Sequence, residues 1–312
     1  MQVPDHATLE RVLRRLHPDA RLLGARPLAG GVSAQVVALE AALPDGRTET
    51  VVLRRHGAAD LARDPEIAAH EFRLLQALQA AGVPAPAPLH LDTSGTILPT
   101  PWLLQGFIDG DTEDGPADLD DRMRQIARAL AAIHRVPPLP FLPRQEAQAA
   151  ALIARHRPEP DESLAEPRLR AALAAHWPPP RRNPPVLLHG DVWPGNLLWR
   201  GGRLQAVVDW EDAAAGDPLA DLANARLELF LAEGGEAMAA LTRSYLALTG
   251  IDRAVDLGAL PLWELWAALR PIAGLPGWGL NPAEERRLRR RYVNVLITDE
   301  TLAERLAEDG EG

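Results

Sequence analysis

One stretch of this sequence carries polar side chains whose types and spacing suit a hard cation and a proton acceptor. His189, Asp191 and Asn196 stand in Val186-Leu187-Leu188-His189-Gly190-Asp191-Val192-Trp193-Pro194-Gly195-Asn196-Leu197-Leu198-Trp199, and Asp209 follows in Val207-Val208-Asp209-Trp210-Glu211. Each polar group sits beside an apolar run that reads as a strand, where a rigid element can hold it at the edge of a core. Asp191 and Asn196 flank a tight loop containing Pro194 and Gly195, and a hairpin turning at Gly201-Gly202 can bring Asn196 and Asp209 together. Two carboxylates and an amide, without Cys or clustered His, are hard oxygen ligands that suit Mg²⁺ bridging phosphates better than zinc.

These residues need a scaffold, and hydrophobic periodicity outlines one. Leu9, Val12, Leu13 and Leu16 recur at helical spacing over 7–17, after which 22–28, 35–39 and 50–55 read as strands. Pro44-Asp45-Gly46 is turn chemistry that joins the last two as a hairpin. Asp64 as N-cap, Pro65 at the first helical position and Gly82 past the last periodic residue bracket a helix over about 65–81. Two further strands, 89–92 and 102–108, bring the first 108 residues to five strands and one internal helix. Beyond Gly110 the spacing predicts helices over about 119–135, 145–156, 166–176, 218–232, 235–249, 255–272 and 283–308. Only one strand cluster interrupts them, at 186–188, 197–199 and 204–208. A β-rich segment followed by a helical one predicts an α+β protein of two lobes, a smaller one over 1–108 and a larger one over 109–312.

Composition narrows the chemistry. With 46% hydrophobic and 24% charged residues, the 312-residue chain is neither disordered nor lipid-embedded. No segment approaches the ~20 apolar residues of a membrane span, and the polar N-terminus has no signal-peptide core, so a cytoplasmic protein without a membrane partner is expected. The absence of Cys removes disulfides, thiol catalysis and thiolate zinc sites together. A net charge of −10 argues against nucleic acid as a partner. All 33 basic residues are Arg, which excludes the Lys of a Walker A loop and any Schiff-base lysine. Residues 1–108 carry 10 Arg against 11 acids, and residues 109–312 carry 23 against 32, so the second lobe holds −9 of the total.

His189-x-Asp191-x-x-x-x-Asn196, followed by Asp209, resembles the catalytic loop and metal-binding Asp of protein-kinase-like enzymes. The His-Gly-Asp form, Asp209-Trp210-Glu211 in place of Asp-Phe-Gly, and Gly216-Asp217-Pro218-Leu219-Ala220-Asp221-Leu222 beyond it are similar to the aminoglycoside phosphotransferase and choline kinase group. The likeness runs over roughly residues 20–300. It implies a bilobal protein-kinase-like fold, ATP or GTP as donor, Mg²⁺, and a hydroxyl group on a small molecule as acceptor. It further implies Asp191 as catalytic base or orienting group, with Asn196 and Asp209 as Mg²⁺ ligands. His189 is expected to brace the loop through its ring, Asp217 to cap a helix ahead of Pro218, and Asp221 to tie that helix to the loop. No Ala-Pro-Glu element follows Asp209, which disfavours a protein substrate.

The same resemblance assigns the donor site. Gly30, Gly31 and Ser33 become a shortened loop over the nucleotide phosphates, where glycines let backbone N–H groups approach. Arg54 stands where Lys is usual, with Glu71 as its helix partner, and strand alternation sends the neighbouring Arg55 to the other face. The segment from Gln105 to Phe107 resembles the hinge, whose main chain receives the base. Candidate acceptor features are the seven acids from Asp109 to Asp121, unaccompanied by Arg, and Trp263, Glu264 and Trp266, which together point to a cationic acceptor. The alternative reading is a catalytically weak or inactive nucleotide-binding regulator of the same fold, suggested by Arg54 and the unusual hinge and opposed by the intact Asp191, Asn196 and Asp209.

Overall fold

Alternating apolar residues and a tight turn build the first part of the chain. In a computed structural model, residues 3–28, 34–250, 255–273, 287, 289–290 and 293 are described. The elements run α1 (His6–Leu13), β1 (Arg21–Pro27), β2 (Ala34–Ala42), β3 (Thr48–His56), α2 (Ala58–Arg63), α3 (Ile67–Ala80), β4 (Pro88–Asp92) and β5 (Trp102–Gly106). The helical part follows with α4 (Leu119–His134), α5 (Gln145–Ala154), α6 (Glu166–His176), β6 (Val186–Leu188), β7 (Leu197–Arg200), β8 (Arg203–Val207), β9 (Ala214–Gly216), α7 (Pro218–Glu233), α8 (Gly235–Thr249) and α9 (Leu260–Leu269). No helix among the described residues is long and apolar enough to cross a membrane. Gly30, Gly31 and Ser33 lie outside the described residues, as does the helix expected at 283–308 apart from 287, 289–290 and 293.

Backbone contacts group the chain into two compact units. The first contains residues 1–114 together with 197–200 and 204–208, and the second contains the rest. The first unit thus runs to Asp114 and takes in most of the β7–β8 hairpin. Within that unit, Asp111 and Trp199 exchange N–H···O bonds of 2.8 Å in both directions.

In the first unit, five antiparallel strands lie in the order β1-β2-β3-β5-β4. Gly46, at φ 85°, closes the β2–β3 hairpin, which stays in register from Ala42↔Thr48 to Ala34↔His56. One sheet face packs on α1, where Leu9, Val12 and Leu13 meet Val37, Leu39, Val51, Leu53 and Leu104. Because side chains alternate along a strand, Val52, Arg54 and His56 point to the opposite face. In the second unit, α7 is buried nearly all round and packs against α8 and α9. Beside it, β6 and β9 form a short antiparallel pair, with Leu188 opposite Ala214.

Candidate active site

The second unit builds a loop around Asp191. The chain leaves β6 at Leu188 and rejoins its partner strand at Ala214, so both ends of the 189–213 excursion are anchored. Asp221, one turn into α7, accepts the backbone N–H of His189 on Oδ2 (2.7 Å) and that of Gly190 on Oδ1 (2.8 Å). Its Oδ2 also lies 3.3 Å from His134 Nε2, and the other nitrogen of that imidazole is 2.6 Å from the Tyr245 hydroxyl. Burial alone would push the Asp221 carboxyl up, but His134 and the loop amides hold it below its ordinary value. Asp217 caps α7 through Leu219 N (3.0 Å), with Pro218 at the first helical position. Gly190 is required by space as well as by its φ of 85°, because a Cβ there would stand 2.1 Å from the carbonyl oxygen of Asp212.

His189 is fully buried and works as a brace. Its Nδ1 accepts the Asp191 N–H (3.1 Å), and its ring packs 4.4 Å from that of Trp210. Asn196 closes the turn by donating Nδ2 to the Asp191 carbonyl (2.9 Å) and to Asp191 Oδ2 (3.3 Å). The Asp191 side chain keeps 36% of its surface exposed. Its carboxyl is pushed up to about 6, first by burial and then by the neighbouring charges of Asp212, Asp209 and Asp221, against the pull of Arg270. Asp209 adopts φ 65°, a left-handed conformation that only one other non-glycine among the described residues shares, and such strain concentrates at functional positions.

A hard cation fits this donor set. Among the described residues no group of three or more His, Cys, Asp or Glu stands ready to hold a metal by itself. Mg²⁺ does not require such a cage, since it takes one or two protein ligands and fills its shell with phosphate oxygens and water. Asn196 commits its nitrogen to Asp191, which leaves the amide oxygen for a cation, and Asp209 adds a full charge within electrostatic reach of Asp191.

In the first unit, Arg54 and Glu71 form a buried pair, with Arg54 Nε donating to Glu71 Oε2 at 3.1 Å. Gln105 Nε2 donates to Oε1 (2.9 Å), and His56 Nε2 lies 2.8 Å from Oε2. Burial would raise the Glu71 carboxyl, but Arg54, His56 and Gln105 together hold it below its ordinary value. Arg55 takes the other face as alternation requires, is equally buried, and donates to Gln35 Oε1 (2.9 Å). Gln105 thus spends its side chain on Glu71, while Phe107 lies just past the last paired position of β5, with Arg26 stacked 5.5 Å over its ring.

Two features expected at an acceptor site are placed elsewhere. Trp263 and Trp266 are core residues that pack edge to face at 5.6 Å, and Glu264 is a buried partner of Arg226 (2.7 Å). The reason is that α9 is buried on all its faces, as a helix that is apolar all round must be. Conversely, His56 and Arg270 join the two clusters although neither was singled out in the sequence. Alternation already puts His56 on the face of Arg54, whereas nothing local marks Arg270, whose partners are 46 to 80 residues away in the chain.

A sequence profile for the phosphotransferase enzyme family, APH, matches residues 24–269. The chain belongs to this family. Among solved structures, aminoglycoside phosphotransferase APH(4)-Ia shares 17% identity and a TM-score of 0.65, with 94% of this chain and 100% of that one covered. A choline/ethanolamine kinase family protein from Mesorhizobium loti shares 21% identity and a TM-score of 0.61, covering 98% and 99%. APH(2")-IIia, solved with GDP and kanamycin, shares 20% and 0.62, covering 95% and 99%. These likenesses show the kinase-like fold of the phosphotransferases. A curated relative, acyl-CoA dehydrogenase family member 10 of Mus musculus, is 29% identical over an alignment of 201 residues that covers 58% of this chain; the chain spans only 18% of that protein's length.

Proposed function

We propose that this phosphotransferase is a Mg²⁺-dependent small-molecule kinase that transfers the γ-phosphate of ATP or GTP to a hydroxyl of a small metabolite or antibiotic. Asp191 carries the reading: a partly exposed carboxylate on a loop fixed by Asp221, His189 and Asn196, with Asp209 within electrostatic reach. Phosphoryl transfer needs positioning and charge neutralisation more than covalent help. Asp191 orients the acceptor hydroxyl and takes its proton. Asn196 and Asp209 would hold Mg²⁺, whose charge, when bound, neutralises the phosphates. Arg54, braced by Glu71, offers the α/β-phosphates a permanent charge. The main chain from Gln105 to Phe107 receives the base. In support, a thermostable mutant of APH(4)-Ia was solved with AMP-PNP and hygromycin B, and APH(2")-IIia with GDP and kanamycin.

The test is a screen of hydroxyl-bearing metabolites and aminoglycosides with ATP and GTP, using Asp191→Asn as the blank. Once an acceptor is found, Asp191→Ala should lower kcat at least ~10²-fold while Mg-nucleotide affinity stays within a few-fold. Nucleotide binding without turnover above the blank would instead establish a regulator.

A further inference from the structure

Arg270 directly follows α9 and gathers both sides of the catalytic loop. Its NH1 donates to the Gly190 carbonyl and, at 3.2 Å, to Asn224 Oδ1 on α7. NH2 donates to Asp212 Oδ2 at 2.6 Å, and NH1 lies 3.5 Å from Asp191 Oδ1. The guanidinium plane is supported 5.8 Å from the ring of Trp266, one turn earlier on α9. Gly190 and Asp212 are the two backbones that approach too closely to admit a Cβ. Arg270 therefore staples the outgoing segment of the loop to the returning one where Gly190 and Asp212 pass close to each other, with Asp191 immediately beyond the staple.

The charge argument points the same way. Asp209, Asp212 and Asp221 lie within electrostatic reach of Asp191, and Arg270 is the one ion-pair partner of Asp191 among the described residues. A rigid fork with several donors can serve a carbonyl, an amide oxygen and a carboxylate while facing a second carboxylate, and a Lys ammonium at this position would keep the charge but lose that geometry.

We propose that Arg270 is a positioning residue for phosphoryl transfer: it fixes the aim of Asp191 by binding the Gly190 carbonyl and the Asp212 carboxylate simultaneously. The catalytic consequence rests on the kinase reading above, whereas the loop-fixing role does not. Because the residue acts through Asp191, its loss should appear in kcat and not in nucleotide KM, which the Arg54–Glu71 pair serves.

The experiment compares the full-length parent with Arg270→Ala and Arg270→Lys by hydrogen exchange of backbone amides, thermal midpoint, and steady-state kinetics with an acceptor from the screen. Arg270→Ala should speed exchange across 190–192 and 211–213 and lower kcat ~10–100-fold, with nucleotide KM within ~3-fold. Arg270→Lys should fold with a midpoint near the parent's and show the same pattern in weaker form. Added guanidinium should restore part of kcat in Arg270→Ala but none in Asp191→Asn. Unchanged exchange at the loop in both variants, or a kcat per folded molecule equal to the parent's, would overturn the proposal. A parent without turnover on any acceptor would defeat the kinase reading, and the exchange data would still decide whether Arg270 fixes the loop.

Discussion

Two carboxylates, one in each unit, show how environment divides structural from chemical work. Glu71 is nearly inaccessible, yet it stays ionised because Arg54, Gln105 and His56 converge on its two oxygens. Asp191 retains about a third of its side-chain surface, yet its carboxyl is displaced upward to about 6. Burial acts against both charges, and their neighbours make the difference: a cation and two polar donors around Glu71, three acids against one Arg around Asp191. The first cluster is charge-matched and complete in itself. The second is left with excess negative charge and an exposed surface, the setting in which perturbed carboxylates at functional sites are found.

Stability against pH tests this contrast most strongly. Glu71 has a depressed value in the fold, so its contribution is present above the ordinary carboxylate range and is lost as pH falls through the folded value. Glu71→Gln strands Arg54 in a buried site and should cost about 3 kcal/mol at neutral pH, with the deficit shrinking in acid. Asp191 has the opposite sign: its value rises from 3.8 to about 6, so the folded parent loses stability as pH climbs through that window. Asp191→Asn should therefore be more stable than the parent at pH 7 in the absence of metal and nucleotide, and the gain should vanish below about pH 4. Thermal midpoints of both variants measured from pH 4 to 8 check this, and shifts of the same sign would erase the distinction between the two clusters.

The proposed Mg²⁺ site of the second unit gives the next effect. Replacing Asp209 with Ala should weaken Mg²⁺-dependent nucleotide binding ~10–100-fold, and Asn196→Ala should do so less, because an amide contributes only a dipole. Calorimetry at graded Mg²⁺ measures this, and an unchanged metal dependence in Asp209→Ala would remove that residue from the site. Smaller again, Arg54→Ala should raise nucleotide KM ~10-fold, about 1.4 kcal/mol, whereas Arg55→Ala, which loses only its bond to Gln35, should leave KM near the parent's. The reverse order would contradict the β3 register.

Much of this arrangement is legible in the sequence, and the exceptions share a cause. The spacing of His189, Asp191, Asn196 and Asp209 and the alternation across Arg54 and Arg55 are local signals, and local geometry enforces them. By contrast, β9 consists of Ala214, Ala215 and Gly216, small residues without strand propensity. They are chosen for close packing, since a Cβ on Gly216 would lie 2.6 Å from the Cβ of Gln145. Arg270 escapes notice because a single Arg after an apolar helix looks like an ordinary C-terminal charge, and only tertiary folding shows what it binds. The aromatic residues of α9 mislead for the complementary reason: Trp263 and Trp266 suggest a cationic acceptor only until burial on every face of the helix is seen.

The smallest effect concerns the acceptor, and it depends on how much of the acidic segment the fold consumes. Asp118 caps α4 through Asp121 N (2.7 Å), Asp121 engages Arg124 (3.2 Å) and Gln125 (3.0 Å), and Asp111 accepts from Glu113 N (2.7 Å). Hydrogen bonds to backbone amides hold Asp118 and Asp111 in place without cancelling their charge. The ion pairs of Asp109 with Arg200 and of Asp121 with Arg124 are largely exposed, a setting in which pairing neutralises little. Seven acids between Asp109 and Asp121 thus still contribute to a negative potential over residues 109–121, within reach of salt screening. An amine-bearing acceptor should show a KM that rises ~2–3-fold between low and physiological ionic strength, while that of a neutral analogue stays constant. If the best acceptor is anionic, or if its KM ignores salt, these acids serve only to start α4 and order the segment before it.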